Sequence, residues 1–365
     1  MTALEAAAEV RERRPSFMDA PANLFDAQAL EALRKSTRTD PERVRQLRNG
    51  LLKEFVADDV GLARAPALRP LAVHSLALDQ RHDSSLDGAT KLLFRTDAGL
   101  LTEAVILRIA TGRTTLCVSS QIGCAAACRF CATGTMGIAR SLTPAQILDQ
   151  VLHAGQLLAA EGRRPRNVVF MGMGEPFHNE DALIEVIERL VDPAWFNLSP
   201  KKILVSTVGV IDGMLRFAER FPNVGLALSL HAARPDARAS IIPTAKKYPL
   251  HELRRALLEV NAMQERPVMI EYLMLEGIND TDADVDALVQ WTEGLDVHLN
   301  LIPFNPVEGT GLRGTSKAKC MAFGDRLKAA GRVTTLRHSL GRDIEAACGQ
   351  LVKRENLARS RALRD

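Results

Sequence analysis

Apolar positions fall into two patterns along the chain. From Ala89 to Ser119 the β-type runs KLLFRT, LLTEAVILRI and TTLCVSS are separated by short DAG and ATGR turns, which predicts an antiparallel meander. Beyond it, short apolar runs recur at NVVFMG, KILVST, GLALSL, VMIEYLML, VHLNLIPF and VTTLRH. Helical periodicity fills most of the gaps, at 145–160, 181–190, 251–263, 283–295 and 317–330. Regular βα alternation implies right-handed crossovers and a parallel sheet. With TTLCVSS as the first strand there are about seven units, near the number a complete or partial barrel needs, and an open doubly wound sheet fits the spacing almost as well. Upstream, residues 1–88 read as an accessory segment, mostly helical, with helical stretches at 26–34 and 41–55. The main core is expected over 89–351 and a basic, surface-exposed tail over 352–365.

One helix start is well marked, because Thr143 followed by Pro144 and Gln146 forms a capping box with proline at the first helical position. The stretch from Cys124 to Ser141 therefore lies between the first parallel strand and the first helix. In α/β folds such loops sit at the carboxyl ends of the strands, where catalytic groups collect.

Composition narrows the function classes. Lys and Arg (47) against Asp and Glu (44) leave a charge of +3, with 46% hydrophobic residues, so the chain is globular rather than disordered. No apolar run approaches the roughly 18 residues of a membrane span. The N-terminus mixes acids with arginines and has no apolar signal core, so a cytoplasmic protein without membrane association is expected. Aromatic residues, at 4%, are too few for a broad base-stacking platform.

Six cysteines are present, and four of them (Cys117, Cys124, Cys128 and Cys131) fall close together. Clustering of this kind reads as metal or redox chemistry rather than a disulfide scaffold. Cys124, Cys128 and Cys131 form C-x₃-C-x₂-C on a loop that follows a strand. Three thiolates can bind three irons of a four-iron cubane and leave the fourth iron open. A structural zinc site needs four ligands, usually as two pairs, and no second C-x-x-C exists, so the spacing favours iron–sulfur over zinc. One βα unit later, MGMGEP (171–176) ends a strand with two glycines and a carboxylate, suited to close backbone approach and to accepting from an ammonium group. Cys320 lies in a helical pattern and reads as core.

The cysteine loop resembles the signature of radical S-adenosylmethionine (SAM) enzymes. In that resemblance Phe130 stands beside adenine, although packing alone also accounts for an aromatic there. A closer resemblance is carried by CVSSQIGCAAACRFCATG, FMGMGEP, VSTVGV, LSLHA, IEYLML, LNLIPFNP and DIEAACGQL, in this order from Ala89 to Leu351. Together they are similar to the RlmN/Cfr family of radical SAM RNA adenosine methyltransferases. The resemblance implies an α/β fold, a partial (βα)₆-type barrel carrying the N-terminal helical segment and the meander as additions. It implies a [4Fe-4S] cluster on Cys124, Cys128 and Cys131, and two SAM molecules per turnover. Gly174, Glu175, Ser206, Ser229, Leu230, His231 and Asn305 would contact SAM. Cys348 would carry a methyl group, Cys117 would release the product by disulfide formation, and Glu103 would take the ring proton.

The implied substrate is an adenosine of 23S ribosomal RNA, with tRNA as a second substrate. The implied partners are an electron-donor protein and a thiol reductant, and the chain would act as a monomer. MGEP and LIPFNP resemble the C2-methylating branch, while DPAWFNLSPKKI is closer to the C8-methylating branch associated with antibiotic resistance. Two other classes stay open on the residues alone. A radical SAM enzyme on another substrate would keep the cluster but not need Cys117 and Cys348, and a non-enzymatic metal- or RNA-binding module would need neither SAM pocket nor redox cysteines.

Overall fold

The computed structural model describes residues 21–136, 139–337 and 339–351. The expected basic tail at 352–365 and the first twenty residues of the accessory segment lie outside them.

The accessory segment contains α1 (Ala27–Ser36), α2 (Pro41–Asn49) and α3 (Asp58–Ala63). Asp26 and Asp40 cap the first two helices by accepting from backbone amides of the first turn. A π-turn at Gly50–Glu54 ends in Phe55 with φ +55°, which turns the chain towards the core. The meander follows as β1 (Ala77–Asp83), β2 (Ala89–Arg95), β3 (Leu101–Arg108) and β4 (Thr114–Cys117). A small hairpin, β5 (Gln121–Gly123) with β6 (Ala139–Ser141), brackets the cysteine loop. Then come α4 (Pro144–Ala160), β7 (Asn167–Phe170), α5 (Glu180–Val191), β8 (Ile203–Thr207), α6 (Ile211–Arg220) and β9 (Gly225–Ser229). The chain continues through α7 (Pro235–Ile241), α8 (Leu250–Met263), β10 (Val268–Met274), α9 (Asp282–Trp291), β11 (Val297–Pro303), α10 (Lys317–Ala329) and β12 (Thr334–Leu336).

Ten strands form one sheet in the order β1-β2-β3-β4-β7-β8-β9-β10-β11-β12. Pairing is antiparallel up to β4 and parallel from β4 to β12, so six helical crossovers join seven parallel strands. This is the partial (βα)₆ barrel. Closure is blocked physically, because the free edge of β4 that β12 would need is already paired with β3. The capping box at Thr143 is formed in both directions, at 3.2 and 3.1 Å.

The meander begins earlier than the boundary drawn at residue 88. β1 pairs with β2 through a bulge between Leu78 and Gln80, but its sequence ALDQRHD is mostly exposed and has no apolar alternation to announce a strand.

The accessory segment is fastened to α4 by a charged latch. Asp149, fully buried on α4, accepts from His74 Nδ1 at 2.7 Å and from the backbone amides of Ser75 and Leu76 at 2.7 and 2.8 Å. His74 Nε2 reaches Asp58 at 3.2 Å, and the His74 ring stacks on His153 at 3.8 Å. Burial works against a charge on His74, but the Asp149 and Asp58 carboxylates outweigh it and raise its pKa from 6.5 to about 9. A raised folded-state pKa gives stability that is complete below pH 6.5 and is lost as pH climbs through about 9. Limited proteolysis within 21–76 is therefore expected to speed up across that window in the native chain and to lose this pH dependence in His74→Gln. Cleavage of the native segment at the same rate on both sides of the window would contradict the latch.

Candidate active site

The carboxyl ends of β7, β8, β9, β10 and β11 surround a cavity that the cysteine loop covers. Its walls include Cys124, Cys128, Phe130, Cys131, Gly174, Glu175, Ser206, Ser229, His231 and Cys348. The loop is held tightly. Arg129 N donates to Ile241 O at 2.9 Å, Cys131 N to Cys128 O at 3.2 Å, and Ala132 N to Gly349 O at 2.7 Å. Only glycine fits at 134, since a Cβ there would stand 2.8 Å from the Cys128 backbone nitrogen and oxygen.

The second glycine motif forms the floor. Gly174 has φ +101°, and a Cβ would approach Gln121 to 2.6 Å, so a side chain is excluded both by strain and by space. Glu175 is 2% exposed, and its carboxylate accepts from Phe177 N at 3.2 Å and Val208 N at 2.9 Å. Burial pushes its pKa up to about 7, against the pull of the Val208 amide. A cationic ligand in the cavity would reverse that shift and find a carboxylate with lone pairs left to accept.

His231 sits at the end of β9 with φ +58°, its Nδ1 accepting from Leu273 N at 3.1 Å. Burial, followed by the nearby Arg238 charge, drops its pKa to about 3, so it is a neutral imidazole. Phe130 meets the ring edge-on, with centroids 4.8 Å apart.

Three charged residues that sequence reasoning missed complete the surroundings. Glu271, inside the apolar run VMIEYLML, lines the cavity and accepts from Ser206 Oγ at 2.8 Å and Ser229 Oγ at 3.0 Å. Arg238 is 1% exposed and ties the ends of β8 and β9 together, donating to the carbonyls of Val208 at 2.7 Å, Ser229 at 3.0 Å and Leu230. Arg337 belongs to a second cavity, between the meander and 339–351, whose walls include Cys117, Met171, Arg337 and Cys348. Cys348 thus stands on both walls, and Met171 is shared too. Burial pushes the Cys117 thiol up to about 12, with Cys348 adding to the shift and Arg337 opposing it.

Three expected site residues stand elsewhere. Leu230 is fully buried behind the wall, where its backbone serves Glu271 and Arg238. Asn305 braces the segment that carries Cys348, with Nδ2 donating to Cys348 O at 3.3 Å and Oδ1 accepting from Arg342 Nε at 3.0 Å. Glu103 is 2% exposed on β3 with Lys91 Nζ at 3.9 Å, and it lines neither cavity. It does share a strand face with Val105, the cross-strand partner of Cys117. Cys320 is core, 1% exposed.

The thiols of the loop fit an iron–sulfur cluster. Burial and then the neighbouring thiolates disfavour ionisation of Cys128, burial raises Cys131, and burial with a contribution from Cys131 raises Cys124 to about 12. Such a set is stable as thiolates only against a cationic centre, and three sulfurs suit a cubane that keeps one iron open. Glu175, Ser206, Ser229 and His231 beside them supply the polar lining that a small zwitterionic ligand needs.

Comparison with known proteins agrees. The Radical SAM superfamily model matches residues 118–290, which implies a [4Fe-4S] cluster and SAM. A probable RNA methyltransferase of Rhodopirellula baltica is 56% identical over 344 residues, 93% of this chain and 91% of its own length. The dual-specificity RNA methyltransferase RlmN 1 of Myxococcus xanthus is 39% identical over 341 residues, 91% of this chain and 95% of its own. Alignments this long include much of the accessory segment, beyond the 89–351 stretch that carries the motifs. A crystal structure of a radical SAM methyltransferase from Sphaerobacter thermophilus superposes with a TM-score of 0.83 at 35% identity, covering 90% of this chain and 97% of that one. The chain belongs to the RlmN/Cfr family and is a radical SAM RNA methyltransferase.

Proposed function

We propose that the enzyme methylates C2 of an adenosine in 23S ribosomal RNA, and of tRNA as a second substrate, through S-methylcysteine at Cys348. The observation that carries this reading is the position of Cys348 on the wall between two cavities, one holding the cluster cysteines and the other Cys117. The relatives named as dual-specificity RNA methyltransferases support RNA methylation, and MGEP and LIPFNP, which resemble the C2-methylating branch, favour C2.

An adenine ring carbon is electron-poor, so polar methyl transfer cannot reach it directly. Cys124, Cys128 and Cys131 would hold a cluster that, with SAM bound, would supply a carbon radical by one-electron cleavage. Cys348 first takes a methyl group from one SAM by displacement, releasing the demethylated sulfonium as a neutral thioether. A second SAM is consumed when a hydrogen atom is removed from that methyl group. The methylene carbon on Cys348 then bonds to the ring carbon, which covalently joins enzyme and RNA. That bond leaves one unpaired electron on the ring, which would return to the cluster held by Cys124, Cys128 and Cys131, while Glu103 takes the ring proton, so that a closed-shell thioether links Cys348 to the base. The Cys117 thiolate attacks the Cys348 sulfur, the carbon–sulfur bond breaks with its electron pair staying on carbon, and protonation of that carbon completes the methyl group. A Cys117–Cys348 disulfide is left, which a thiol reductant must open, and an electron-donor protein must reduce the cluster. The same scheme has the chain working as a monomer in the cytoplasm; no helix among the described residues is long and apolar enough to cross a membrane.

Nucleoside mass spectrometry of RNA from a deletion strain and its parent tests the reading. Loss of 2-methyladenosine is the expected result, and loss of 8-methyladenosine would move the enzyme to the C8 branch. An unchanged RNA would end the proposal.

A further inference from the structure

The face opposite the cavity carries charge that the reaction does not use. Residues 112, 162–166 and 197–202 immediately precede β4, β7 and β8, so they lie at the amino ends of the strands whose carboxyl ends meet the cluster loop. With the π-turn of the accessory segment they form an open groove lined by Lys53, Arg163, Arg164, Arg166 and Lys202. The three arginines and Lys202 are exposed, and none of the five has a carboxylate within 4.0 Å among the described residues. The nearby acids are already taken. Glu54, also on the groove, pairs with Arg64 at 2.6 Å, and Glu161 pairs with Arg108 at 2.6 Å. The mounts are firm, since Pro165 is buried and the Arg164 carbonyl accepts from Thr114 Oγ1.

We propose that this groove binds the phosphate backbone of the RNA substrate, a reading that rests on RNA being the substrate. Exposed cations hold a small anion weakly because water and salt screen them. A polyanion is different, since each neutralised phosphate releases condensed counterions and the gains add along the strand. β8, at five residues and roughly 3.3 Å each, sets the groove about 17 Å from the cavity. Contacts there cannot read the target base. They fix the register of a long, folded RNA whose target adenosine enters at the opposite face.

The test is binding of a domain-sized transcript of 23S ribosomal RNA to the full-length, cluster-loaded protein across a salt series. Replacing Arg163, Arg164 and Arg166 together by Ser is expected to weaken binding by about tenfold or more near 0.1 M salt and to flatten the salt dependence by about one contact per arginine. The triple Arg→Lys variant should bind nearly as the native protein does, and SAM cleavage without RNA should be equal in all three. Native affinity and slope in the serine variant would overturn the proposal, as would a loss equally deep in the lysine variant. Displacement of the transcript by millimolar inorganic phosphate at constant ionic strength would give the groove to a small anion and also overturn it. Native protein that fails to methylate any RNA would instead refute the functional reading, and these outcomes are separable.

Discussion

Cys117→Ala protein, purified from cells, is expected to carry RNA that survives denaturation, while Cys348→Ala carries none. Cys348 would hold the carbon that becomes the new methyl group, so without its sulfur no bond to RNA forms. Cys117 would act only afterwards. Lacking it, the enzyme would accept the methyl group, add it to the base and stall, because nothing attacks the Cys348 sulfur. Turnover should fall on the order of 10⁴-fold in either variant, as when a nucleophile is deleted. The two failures nonetheless differ in kind. Nuclease digestion should leave a nucleotide mass on the Cys348 peptide of the Cys117→Ala protein alone. Trapping needs a folded enzyme, so the adduct also controls for misfolding. Identical behaviour of the two variants, with no trapped RNA, would remove the methylcysteine scheme and leave radical SAM chemistry by another route.

Replacing any one of Cys124, Cys128 and Cys131 by Ala is expected to abolish both bound cluster and methylation. Each thiolate would ligate one iron, and the remaining pair would be left buried with no centre to offset its charge. The loop itself should persist, since it is fixed by backbone bonds to Ile241 and Gly349 that do not involve sulfur. Anaerobically reconstituted native protein should be brown and absorb near the violet–blue edge, and each variant should be colourless with an intact melting transition. Full activity with two remaining thiols, or a colourless zinc-loaded native protein, would sink the assignment.

Much of this arrangement is legible along the chain because its signals are local. Short apolar runs between amphipathic stretches mark β7 to β12, Thr143 with Gln146 marks the start of α4, and C-x₃-C-x₂-C marks the cluster loop. What escaped is either weak locally or made by the fold. β1 is a polar strand paired along a single edge, so it lacks the alternation that burial imposes. Glu271 is one carboxylate in an apolar run. It gains meaning only when β8 and β9 bring Ser206 and Ser229 against it. Arg238, on α7, and Arg337, just past β12, are likewise single cations whose neighbours come from segments distant in sequence. Leu230 falls between two wall residues in the sequence, yet it lies just past β9 with its side chain fully buried outside the cavity lining and its backbone amide donating to Glu271 O, a placement that only the folded strand end determines. The basic groove draws on three separate segments, and its one basic run, RRPR at 163–166, is too short to announce a binding surface by itself.

If the new methyl carbon passes through Cys348 as a methylene, the isotope content of the product records it directly. RNA is methylated in vitro with SAM whose transferable methyl group is fully deuterated, and the modified adenosine is isolated and weighed. Passage through Cys348 requires one hydrogen of that methyl to be removed and later replaced by a proton from water, so the product methyl should hold one deuterium fewer than the donor, on a ring carbon. An adenosine methyl that keeps every deuterium would show direct polar transfer and contradict the mechanism.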